Sequence, residues 1–213
     1  MSKSLLTLLL ACAPLSCGGP SVGEIVSQEV VMRLSTVGEG RRTPQVERLI
    51  VNASSVRLEA CAENVEPLEL GARSYDLAQE RAPSETVRTA VKAHCGVRLE
   101  VEPLEGVERE GVPEGASLHV EGTDAEGEPF TVTSTEAFGL ELRAVDEGGF
   151  GVVPLLLGVD VTALLADLPL DEESSEEASR LLPEKLVAAS ALYTDEDDDG
   201  ELDDDESDPV ALP

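Results

Sequence analysis

The chain has 213 residues, with 15 Lys+Arg against 44 Asp+Glu and a formal net charge of −29. That charge repels phosphate, so nucleic acid is excluded as a partner, and docking by charge on an anionic lipid surface is disfavoured. With no Trp, two Tyr and three Phe, the core is expected to be Val, Leu and Ala, and no aromatic platform for sugars or bases is in view.

At the amino end, Lys3 supplies one positive charge and Leu5 to Leu15 is an apolar run too short to span a bilayer. It leads into Ala13-Pro14-Leu15-Ser16-Cys17-Gly18-Gly19-Pro20. Small residues before a Cys, followed by a Gly/Pro/Ser linker, resemble a bacterial lipoprotein signal with its lipobox. The resemblance implies a signal peptide over 1–16, diacylation of Cys17 and a flexible tether over 17–28. Two acyl chains hold a protein on a membrane stably where one is marginal, so the membrane partner is reached through lipid. Gly18 after that Cys is compatible with outer-membrane delivery. Leu9-Leu10-Ala11-Cys12 is a competing lipobox with a shorter signal, and plain secretion after cleavage at Ala11 or Ala13 is a further alternative.

Residues 29–170 read as one antiparallel β-sandwich of seven or eight strands. Val30, Met32 and Leu34 alternate with polar neighbours, the period of a half-buried strand. A Gly-Glu-Gly-Arg-Arg-Thr-Pro turn precedes a second strand over 46–61. Gly71 to Ala78 places Tyr75 and Leu77 on one side, and Ser84 to Ala93 reads as a short helix or a loop. The pattern repeats over 96–104, 116–122, 129–134 and 139–145, with Gly, Pro and acid clusters between, as turns require. Val152 to Val161 is more uniformly apolar and suits a central strand. Thr162 to Leu168 reads as a short helix capped by Asp160 or Thr162.

Residues 171–194 read as an acidic stretch over 171–182, either linker or helix, and a short C-terminal helix from Glu184 to Tyr193. Pro183 fits a first turn, and Leu186, Ala189 or Ser190, and Tyr193 share a face that docks on the sheet. Residues 195–213 read as an acidic tail. Its core, Asp195 to Glu206, fits a twelve-residue calcium loop: oxygens at positions 1, 3, 5, 7, 9 and 12 from Asp195, Asp197, Asp199, the Glu201 carbonyl, Asp203 and Glu206, with Gly200 at the sharp bend and Leu202 pointing inward. The segment resembles an EF-hand calcium loop. Ca2+ is therefore the expected cofactor, bound weakly at about 10⁻⁴ to 10⁻³ M as in extracellular modules. The departures are Ala191 and Thr194 before the loop, Ser207 after it, and Pro209 where an exiting helix belongs. A merely solvated acidic run is the competing reading, since 195–208 holds eleven acids and no base.

As a whole the chain resembles exported lipoproteins of myxobacterial type, in which a lipobox precedes an all-β domain and an acidic end. The phrases that carry the likeness are His94-Cys95-Gly96-Val97-Arg98-Leu99, Pro113 to Thr123, Gly127 to Val132 and Ala191 to Gly200. The resemblance implies export and the terminal acidic loop, and attaches no reaction.

Cys61 and Cys95 form an even pair in an oxidising compartment and are expected to be a disulfide. A thiolate at Cys95 with His94 or His119 as base is poorly placed, because adjacent strand residues point to opposite faces. Zinc lacks ligands at tight spacing. No nucleophile elbow, His-Glu-x-x-His, phosphate loop or dinucleotide fingerprint occurs, so no enzyme activity is expected. Three functions follow in order: a calcium-binding envelope lipoprotein, a module holding an envelope protein's peptide or a glycan, and a hydrolase built from scattered carboxylates.

Overall fold

A computed structural model describes residues 26–32, 45–62, 65–78, 84–89, 91, 93–106, 110–151, 154–171, 174–195 and 208–213, with only the backbone path for 26–32 and 84–89. The signal, Cys17 and most of the tether lie outside these residues.

Among the described residues, twelve strands and two helices follow in order: β1 (Val26–Met32), β2 (Gln45–Ala60), β3 (Leu68–Leu70), β4 (Arg73–Asp76), β5 (Ser84–Thr89), β6 (His94–Val101), β7 (Leu118–Thr123), β8 (Pro129–Ser134), β9 (Phe138–Ala144), β10 (Leu155–Val159), α1 (Val161–Leu165), α2 (Ser175–Ala189), β11 (Ser190–Thr194) and β12 (Ala211–Leu212). The alternation that marks strands in the sequence is also their burial pattern. Val97, Leu99 and Val101 face inward on β6, Leu118 and Val120 on β7, Phe130 and Val132 on β8, and Leu140 and Leu142 on β9. The core is mostly aliphatic: among the described residues, eleven of the twelve largest fully buried side chains are leucines, and Ile50 is the other.

The chain is mainly β, but the expected sandwich is not what forms. All described strands join one curled sheet ordered β5-β1-β10-β11-β12-β9-β6-β2-β7-β8, with β3 and β4 also on β2. Two stacked sheets require two separate hydrogen-bonded groups facing each other. Here the sixteen-residue β2 belongs to one continuous surface. Its first half pairs with β7 and β4, its second with β6 and β3. Register shifts at Val46/Arg48, Ala53/Ser55 and Glu59/Ala60 mark bulges, which bend a strand and raise its twist. The result is a half-barrel. Among the described strands one neighbour relation is parallel, β1 with β10.

β10 is buried at all five positions between β1 and β11, as a continuous apolar run predicts. Asp160 then caps α1, accepting from Thr162 N at 2.8 Å and Ala163 N at 3.1 Å. α2 takes in most of the stretch that read as linker or helix, and it ends before Tyr193. It starts at Ser175 with Glu176 and Glu177 in its first turn, where carboxylates favour the helix dipole. Pro183 lies inside it rather than at its start. Its buried stripe, Ala178, Leu182, Leu186 and Ala189, joins the strand core. Residues 190–194 leave the helix and pair with β10 instead. A fully apolar central strand needs a second hydrogen-bonded neighbour, and that non-local demand overrides helix propensity. Ser84–Thr89, read as helix or loop, is an edge strand on β1.

Candidate functional site

The acidic stretch is flanked by strands. Asp195 follows β11 directly, and its N–H donates to the Pro154 carbonyl at 3.0 Å. Its residue is completely buried, unlike a member of a solvated run. Positions 196–207, with Asp197, Asp199, Glu201, Asp203 and Glu206, lie outside the described residues. The chain is described again at Asp208 and enters the sheet as β12, where Ala211 sits opposite Leu192 on one side and Ala144 on the other. Val210 N donates to Leu192 O at 2.7 Å, and Val145 N donates to Val210 O at 2.9 Å. The stretch read as a tail is therefore a connection tied to the sheet at both ends, with strands where an EF-hand has helices. Among the described residues no group of three or more His, Cys, Asp and Glu is arranged to hold a metal.

Cys61 and Cys95 form the expected disulfide, with Cα atoms 4.9 Å apart and a sequence separation of 34. It joins the end of β2 to the start of β6. The turn at 146–150 seats against it: His94 and Phe150 exchange backbone hydrogen bonds at 2.9 and 2.8 Å, and their rings stack with centroids 6.0 Å apart. Gly149 makes this approach possible. Its φ is +73°, and a Cβ there would collide with the His94 carbonyl and Cys61 Sγ. His94 is completely buried and neither ring nitrogen makes a hydrogen bond of good geometry. Burial pushes its pKa below the usual histidine value, only partly opposed by the Glu59 backbone. His94 is a neutral core residue, and its neighbour's sulfur is already spent in the disulfide.

The second histidine belongs to a polar chain that pattern reasoning did not assemble. On the outer face of the sheet, His119 of β7 stands opposite Thr133 of β8, and Arg48 of β2 stands opposite Glu121 of β7. His119 Nδ1 lies 2.7 Å from Thr133 Oγ1, His119 Nε2 lies 2.7 Å from Glu121 Oε1, and Arg48 Nη1 lies 3.5 Å from Glu121 Oε2. The His119 hydrogen bond, with help from Arg48, holds the Glu121 carboxyl below its ordinary range. An ionised carboxylate can only accept, so Nε2 carries the proton and, in the neutral ring, Nδ1 accepts from the Thr133 hydroxyl. This order of hydroxyl, imidazole and carboxylate is shared with nucleophilic sites. Here His119 is only 1% exposed, and its two nitrogens are engaged by Thr133 and Glu121. The chain ties three strands together.

The clue to it was present in the sequence: His119 and Glu121 alternate with Leu118 and Val120, so they share the face opposite the core. That Arg48 and Thr133 meet them depends on register. A groove of about 620 Å³ lies between the end of β8 and the start of α2, lined in part by Thr133, Ser134, Thr135, Glu136, Ser174 and Arg180. Its walls are hydroxyls and charges. No described helix is long and apolar enough to cross a membrane.

No family model, no curated protein and no solved structure matches this chain.

Proposed function

We propose that this chain is a lipid-anchored protein of a bacterial cell envelope, held at the outer membrane through Cys17, whose acidic connection binds Ca2+ weakly. The ligands are Asp195, Asp197, Asp199, the Glu201 carbonyl, Asp203 and Glu206, around the Gly200 bend. The β-domain is the scaffold that carries them and has no catalytic part in this reading.

One observation supports it above the rest: the connection is anchored on both sides, at Asp195 beside Pro154 and at Val210–Ala211 between two strands. Eleven acids over 195–208 cannot disperse as a free tail would. Alternate residues of an extended chain lie about 7 Å apart, so each such pair of charges repels by about 0.6 kcal/mol in water before salt screening. A divalent cation with oxygen preference relieves many such pairs at once. Calorimetric titration of the mature protein with CaCl2 is expected to show a single weak site, lost in Asp199→Ala and in Glu206→Ala. No heat at millimolar calcium removes the proposal. The anchor is tested separately by labelled palmitate, which Cys17→Ser should abolish.

The groove beside β8 favours a second reading, a module that holds a peptide or glycan among hydroxyls and charges. Binding on a peptide or glycan array that disappears in Arg180→Glu, with calcium absent, would support it.

A further inference from the structure

Among the described strands, the half-barrel is two hydrogen-bonded blocks, β5-β1-β10-β11 and β9-β6-β2-β7-β8, and β12 is the sole member between them. No other described strand pair crosses that line. β12 has two residues, where β9 has seven and β11 has five. Pro209 and Pro213 bracket it, and proline has no N–H to extend a ladder in either direction. Pairing is thereby confined to Val210, Ala211 and Leu212.

We propose that Val210–Leu212 is a releasable strap, and that the seam it closes opens as a local event distinct from global unfolding. Its hold is slight for the position it occupies. Ala211 is its one completely buried side chain, and that side chain is a single methyl. Leu212 is 43% exposed, and Val210 is only partly buried against the core. The remainder is backbone: Val210 N to Leu192 O, Val145 N to Val210 O, and the register of Ala211 and Leu212 with Ala144 and Arg143. β6, by contrast, is paired along its length with β2 and with β9. Segments with few buried apolar contacts open first, as cooperative units of their own. Opening stays at the seam because α2, whose buried stripe belongs to the common core, packs against β8 and β9 and holds that side of the sheet in place. While the strap is out, the facing edges of β11 and β9 lie unpaired, the condition in which a strand accepts another.

Hydrogen exchange followed by NMR tests this on the whole mature protein. The amides of Val210 and Val145 are expected to exchange at least about tenfold faster than those of Val97 and Leu99 in β6. Ala211→Asp should speed Val145 further and leave Val97 and Leu99 unchanged. Ala144→Cys with Ala211→Cys joins two registered neighbours and should slow Val210 and Val145 toward the β6 rate. A common rate for all four wild-type amides, or a cross-link that changes none of them, overturns the proposal. Should Ala211→Asp fail to fold, the wild-type rates and the cross-linked variant still decide.

Discussion

Replacing Cys61 and Cys95 by serine together tests how the two ends of the β2–β6 pair are held. The bridge closes a separation of 34 residues. In the chain-entropy model that loop removes about 12.6 cal/mol/K from the unfolded ensemble, or about 3.8 kcal/mol at 25 °C. Two local features argue that the folded state keeps its shape without the bond. Cys61 N still donates to Ala93 O at 3.2 Å, and His94 keeps its backbone exchange with Phe150. The loss should therefore come close to the full entropic figure. At about 2 to 4 °C per kcal/mol for a domain of this size, Tm should fall by roughly 8 to 15 °C. Urea unfolding of the mature protein, followed by far-UV circular dichroism, gives the free energy. A loss under about 1 kcal/mol would refute the reasoning, since it would mean the unfolded chain was already restrained or the bond was strained against the fold.

Acid should weaken the protein through His94. Its folded pKa is lowered, so the unfolded chain takes up the proton first. Stability is then lost as pH falls below the unfolded value of about 6.5. His94→Phe, which keeps a ring against Phe150, should flatten the dependence of the urea midpoint on pH between about 7 and 5; an unchanged slope denies His94 this role. Glu121 acts in the same direction, at lower pH. Its folded pKa is lowered, so its contribution is present above the ordinary carboxylate range and disappears as pH drops through the folded value. Glu121→Gln should cost about 1.5 to 3 kcal/mol, the range for a hydrogen bond to a charged group, and a value near zero in urea unfolding would show the Thr133–His119–Glu121 chain to be idle. Gly149→Ala should cost at least about 1 to 3 kcal/mol from its left-handed backbone alone, with near-normal stability counting against the tight turn over the disulfide. If the acidic connection takes calcium, the exchange of the Val210 amide should slow in millimolar CaCl2 and recover with chelator; an ion-independent rate separates the strap from the calcium reading.

Much of this fold could be read from the chain, and the places where it could not be read share one cause. Val97-Arg98-Leu99-Glu100-Val101 and Leu118-His119-Val120 declare their inward faces because alternation is a property of neighbours in sequence. Residues 190–194 show the limit. Ser-Ala-Leu-Tyr-Thr continues a plausible helix stripe, and it becomes a strand only because β10 lies beside it with unpaired backbone. Ser84–Thr89 likewise gains its state from β1. The His119 chain was half legible, since its spacing marks one face, yet Arg48 and Thr133 arrive from strands whose register no local pattern fixes.

By itself, the amino-acid order determined the charge, the aliphatic core, the position of most strands, a cap at Asp160 or Thr162 and the pairing of Cys61 with Cys95. It also set out the run of acids around Gly200 from Asp195 to Glu206. Tertiary structure alone decided that the strands make one curled sheet rather than two stacked ones, and that the acidic stretch returns to the sheet through Ala211. The physical reason is that side-chain periodicity specifies which face of a strand is buried. The partner of its backbone N–H and C=O groups is specified only when distant segments compete for the same edge.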